Sequence, residues 1–100
     1  MSTIEIKESQ IIPAINAAYN LSVPVGMGFL HYTPEPLTSE ELNELAVFHS
    51  NSISLDYVKG RGVKFNIFRE TVNGEYKYYI REKWFDHSED QVLLLLEAIE

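Results

Sequence analysis

Apolar and polar residues alternate through three runs between Ser52 and Phe85, and residues that favour turns separate the runs. The clearest separator is Val72-Asn73-Gly74-Glu75. Asn-Gly suits a two-residue type I′ turn, in which both central residues need a positive φ. Pairing Val72 with Glu75 sets Glu70 opposite Lys77, Ile67 opposite Ile80, Phe68 opposite Tyr79 and Val63 opposite Trp84. The opposite charges of Glu70 and Lys77 favour that register. The first connection, Val58 to Val63, allows more than one loop. A two-residue loop at Gly60-Arg61 turns Asp56 inward. A three-residue loop over Lys59 to Arg61, with Gly62 in a bulge, turns Ile53, Leu55 and Tyr57 inward. A slip of one residue flips every side chain, so the apolar pattern selects the three-residue loop. The inner face then carries Ile53, Leu55, Tyr57, Val63, Phe65, Ile67, Tyr78, Ile80 and Trp84. Glu82 falls among them, and a bulge or a place at the sheet margin accounts for it more simply than an acid with a raised pKa.

The other elements are shorter. Thr3 to Lys7 alternates as a brief strand, and Ser9 is placed to cap a helix running to about Tyr19. Pro13 is tolerable near the first turn of that helix. Ile11, Ile15 and Ala18 form its apolar stripe, with Ile12 and Tyr19 beside it. Val25 to Tyr32 reads as a further strand marked by Gly26 and Gly28. Its Gly-x-Gly lacks the third glycine and the following helix of a dinucleotide site. Thr38 and Glu41 form a capping box, and Leu37 with Leu42 a hydrophobic staple, for a helix ending near Phe48. Leu42, Leu45 and Ala46 face inward. Glu40, Glu41 and Glu44 lie in its first turns, where carboxylates suit the helix dipole and most simply make a solvated face. Ser88 and Gln91 open a last helix, with Val92, Leu95, Leu96 and Ile99 as its inward stripe. Leu93 and Leu94 lie off that stripe, so the helix is either clasped on more than one side or makes a homo-oligomer contact, the second being favoured. The expected architecture is α+β: an antiparallel meander over about residues 52–85, with helices on one face, in a single two-layer domain of residues 1–100.

Charge refines this picture. The chain of 100 residues has a net charge of −7, unevenly distributed. Residues 1–58 hold seven acids and one base, residues 59–83 seven bases and three acids, and residues 84–100 five acids and no base. Bases therefore concentrate on the meander. A broad basic surface is missing, which argues against duplex nucleic acid as a partner. No run approaches the ~18 apolar residues of a membrane helix, so no membrane partner is expected. The first residues lack the basic and apolar regions of a secretory signal, and the chain has no cysteine. A cytoplasmic location is the expectation, and disulfide or thiolate chemistry is excluded.

No catalytic residue, metal site or cofactor stands out. Asp86-His87-Ser88 contains the residue types of a hydrolytic triad, but consecutive residues cannot adopt its geometry. His31, His49 and His87 form no His-x-x-x-His pair. The outer face of the meander is the stronger candidate. In the expected register Lys64 opposes Lys83, a destabilising like-charge pair unless something binds there. Asp56 flanks Lys64, Arg81 lies one row on, Arg61 hangs in the glycine-flanked loop, and Phe68 with Tyr79 forms an aromatic pair. Cations for a phosphate and rings for a base suit an anionic, nucleotide-like ligand. The simpler alternative is a solvated or covered sheet face.

The blocks Asp56-Tyr57-Val58-Lys59-Gly60-Arg61-Gly62-Val63-Lys64, Trp84-Phe85-Asp86-His87 and Gly26-Met27-Gly28-Phe29-Leu30-His31-Tyr32 resemble small uncharacterised proteins of phages and mobile elements. The resemblance spans about two-thirds of the chain by the extent of these blocks and brings no activity. It implies a protein that acts on a host system by binding. Two expectations follow: a non-catalytic protein that sequesters a nucleotide-like ligand, or an interaction module whose acidic helices engage a host protein. A small nucleotide-cleaving enzyme using His87 or Glu82 is a third.

Overall fold

The computed structural model describes residues 3–22, 35–81, 97 and 99. Among these residues the sheet is four-stranded and antiparallel. Its strands are β1 (Thr3–Ile6), β2 (Ser52–Val58), β3 (Arg61–Val72) and β4 (Glu75–Arg81), in the spatial order β1-β4-β3-β2. A 3-10 turn over Glu8–Gln10 leads into α1 (Ile11–Leu21), and α2 spans Ser39–Leu45. The protein is an α+β domain, as the apolar pattern indicates.

The β3–β4 hairpin follows the expected register. Val72 pairs with Glu75, Glu70 with Lys77, Phe68 with Tyr79 and Ile67 with Ile80. Asn73 and Gly74 both take positive φ, 53° and 81°, as a type I′ turn requires. The short strand near the N-terminus also forms, pairing Ile4 with Ile80 and Ile6 with Tyr78.

The β2–β3 connection corrects the expectation. Lys59 and Gly60 form a two-residue turn with φ of 50° and 77°, and Val58 pairs with Arg61. Gly60 therefore has the same part in this turn as Gly74 has in the next one. Between the pairs Tyr57–Gly62 and Leu55–Phe65, β2 advances by two residues and β3 by three. That bulge restores the inward direction of Ile53 and Leu55, which are 2% and 3% exposed. Tyr57 lies on the turn side of the bulge and is 64% exposed, whereas Val58 packs against the core. The expectation of an inward Tyr57 fails because the turn is one residue shorter than the apolar pattern suggested.

The core joins Ile53, Leu55, Val63, Ile67, Tyr78 and Ile80 of the sheet to Ile11, Ala14, Ile15, Ala18 and Tyr19 of α1. Each large apolar side chain sealed there contributes roughly 1.5–3 kcal/mol. Ile12, beside the stripe, stays half-exposed. Ser9 is not a cap: it lies inside the 3-10 turn, where the Lys7 N–H donates to Gln10 Oε1 at 2.8 Å. Pro13, as third residue of α1, lacks only an N–H that the first turn would leave unpaired.

Helix α2 starts as its capping box indicates. The Glu41 N–H donates to Thr38 Oγ1 at 3.2 Å, and the Thr38 N–H donates to Glu41 Oε1 at 3.0 Å. It ends at Leu45, short of Phe48. Leu37, Leu42, Leu45 and Ala46 pack against the core. Ile99 of the expected last stripe is 6% exposed and belongs to the core, and its carbonyl accepts from Gln10 Nε2. The expected strand over residues 25–32, the start of the last helix, the Leu93–Leu94 contact, Glu82, Trp84 and His87 lie outside the described residues.

Candidate functional site

The expected ligand residues divide into three groups. Phe68 and Tyr79 are directly opposite on β3 and β4, and both are half-buried. Asn66 and Arg81 form the row on one side of them, and Glu70 and Lys77 the row on the other. Asp56 is exposed on β2, across from the bulge at Val63 and Lys64. Lys64 lies at that bulge, so its place in the row pattern is offset from the expectation. Lys83 lies outside the described residues. Asn66 is 3% exposed, so the row it shares with Arg81 is partly covered.

Arg61 departs from the expectation. Its two-residue turn points it inward, and it is 6% exposed. Helix α1 has no basic residue in its last turn; Ser22 donates from its N–H and Oγ to the Ala18 and Tyr19 carbonyls, and the Asn20 carbonyl needs a donor from elsewhere. Arg61 supplies it. Nε donates to the Tyr19 carbonyl at 2.8 Å and to Ser22 Oγ at 3.0 Å. Nη2 donates to the Asn20 carbonyl at 3.1 Å and to the Ser22 carbonyl. Its guanidinium carbon also lies 5.2 Å from the centre of the Tyr19 ring. A cation at a helix C-terminus is favoured by the dipole, and four bonds offset the loss of water. Arg61 is thus a cap for α1, and it is not on the outer face.

The same turn holds α2. Lys59 Nζ lies 2.8 Å from Glu41 Oε1 and 3.6 Å from Glu35 Oε2, and donates to the Pro36 carbonyl at 3.0 Å. The bond from Lys59, with those from Thr38, holds the Glu41 carboxyl below the usual carboxylate range. The bond to Glu41 raises Lys59 above the ordinary lysine value. Of the acidic trio on α2, Glu41 is therefore engaged, while Glu40 and Glu44 are exposed.

A second constellation was not read from the sequence. Arg69 of β3 lies 4.8 Å over the Phe48 ring and 4.6 Å over the Tyr76 ring. Its Nε donates to Asn51 Oδ1 at 3.3 Å and its Nη2 to the Ser50 carbonyl at 3.0 Å. Tyr78 completes the group, with ring centres 5.6 Å from Phe48 and 6.4 Å from Tyr76. Burial raises the Tyr78 phenol above its ordinary pKa, helped by the charge of Glu8 and opposed by Arg69. The available signal was that Arg69, Tyr76 and Tyr78 share the inner face of the β3–β4 hairpin.

Among the described residues no three His, Cys, Asp or Glu side chains gather into a metal site. None of the described helices is long and apolar enough to cross a membrane. The fold and the two faces define a small α+β protein with cationic and aromatic residues on one β-hairpin. Compared with protein-family models, with curated proteins and with solved structures, the chain finds no match.

Proposed function

We propose that this is a non-catalytic binding protein that takes an anionic, nucleotide-like ligand on the outer face of the β3–β4 hairpin. One observation carries the reading. The half-buried Phe68–Tyr79 pair has a cationic residue of β4 in the row on each side, Arg81 and Lys77. At about 3.4 Å per residue, each lies about 7 Å along the strand from Tyr79. Rings for a base flanked by cations for phosphate make a combination that tolerates any base. Arg61 is not part of the set, and Lys64 and Asp56 lie at its bulged margin. Taken with the resemblance to phage and mobile-element proteins, such binding withholds a nucleotide from a host system.

Thermal-shift measurements against cyclic and linear nucleotides at low salt test the proposal. Stabilisation by at least one of them, lost in Phe68→Ala and Arg81→Glu, is the expected result. No stabilisation by any of them at millimolar concentration overturns it. A second reading rests on the exposed Glu40 and Glu44 of α2, an acidic edge suited to a basic protein surface. It predicts capture of a basic host partner that is lost on reversing those two charges. Glu41 is unsuitable for that test, since its reversal breaks the cap and the Lys59 pair together.

A further inference from the structure

Arg69 is held from several directions. Two hydrogen bonds fix it to the segment before β2, and its guanidinium carbon lies over the Phe48 and Tyr76 rings. An arginine has five N–H donors. Two are engaged by Asn51 and Ser50, so three are engaged by no described residue. Among the described residues no carboxylate lies within ion-pair distance of it. Arg69 is half-exposed and Tyr76 is 53% exposed, so that side of the group is open to solvent, while Tyr78 is buried beneath it.

We infer that Arg69, with Tyr76 beside it, is an oxyanion-binding site, separate from the Phe68–Tyr79 face and on the opposite side of the hairpin. The ligand class is a small molecule that presents a phosphate or a carboxylate next to an aromatic group. The guanidinium N–H groups that no described residue engages donate to two oxygens of the anion, and the exposed Tyr76 ring packs against the aromatic group. Free arginine side chains lose rotamer freedom on binding, but Arg69 is already held in place, so little is lost. This site does not depend on the proposed nucleotide face.

The test is a titration of the whole chain, followed by the NMR signal of the Arg69 Nε–H. The probes are inorganic phosphate, phenyl phosphate and benzoate. A saturable shift of that signal, tighter for phenyl phosphate or benzoate than for inorganic phosphate, is expected. The preferred probe distinguishes a phosphate from a carboxylate ligand. Tyr76→Ala keeps the guanidinium and should weaken phenyl phosphate and benzoate while leaving inorganic phosphate unchanged. Because the wild-type signal is read directly, the outcome does not depend on whether an Arg69 variant folds. No saturable shift with any of the probes overturns the site, as does an unchanged response in Tyr76→Ala. Movement of the Phe68 and Tyr79 signals reports on the other face.

Discussion

Replacing Arg61 by alanine removes four hydrogen bonds and takes from the Asn20 and Ser22 carbonyls the donor that Arg61 supplies. The expected cost is about 3 kcal/mol, read as a lowered denaturant midpoint at an unchanged slope. Arg61→Lys should recover only part of it, because an ammonium cannot reach the Tyr19, Asn20 and Ser22 oxygens with one planar fork. If Arg61→Ala leaves the midpoint unchanged, Arg61 is not the cap. Thr38→Ala is a smaller change of the same kind. It removes the hydroxyl that accepts from the Glu41 N–H and should cost about 1 kcal/mol. Neither arginine role was legible from sequence. Nothing local distinguishes Arg61 from a loop cation, since its partners lie 39 to 42 residues away. Arg69 likewise draws Phe48 from a segment far from its own hairpin.

At the scale of elements, local chemistry was readable and the joints between elements were less so. The Asn73-Gly74 turn and the Thr38–Glu41 box each depend on residues within a few positions, and both form as their sequences indicate. The β2–β3 turn is ambiguous in the sequence because Gly60 and Gly62 both offer the needed freedom, and the bulge hides the difference. With Val58 opposite Arg61 and Leu55 opposite Phe65, the inner pattern of Ile53 and Leu55 is compatible with a turn one residue shorter. At Gly74 no atom lies within 4 Å of an added Cβ, so Gly74→Ala meets backbone strain alone at φ 81°. A loss of about 1 kcal/mol in chemical denaturation is expected, with the register unchanged. A loss far beyond that points to packing at the turn.

For the whole molecule, one hairpin joins both helices to the sheet, through Arg61 to α1 and Lys59 to α2. The Lys59–Glu41 pair gives this arrangement a pH dependence of defined sign. Glu41 titrates lower when folded, so its contribution is full above the unfolded carboxyl value and is lost as pH falls through the folded one. Lys59 titrates higher when folded, so its contribution is full below the unfolded lysine value and is lost as pH rises through the folded one. Tyr78, raised by burial, adds to the loss on the alkaline side. Denaturant midpoints across the pH range should fall on both flanks, and Glu41→Gln should flatten the acid flank. An acid flank that Glu41→Gln leaves unchanged contradicts the assignment. The functional account rests on the outer face of the neighbouring β3–β4 hairpin. Its most direct measurement is an amide NMR titration with the nucleotide that stabilises the protein most. The account predicts saturable shifts concentrated at Phe68, Lys77, Tyr79 and Arg81. Shifts that avoid these four residues, or none at all, contradict it.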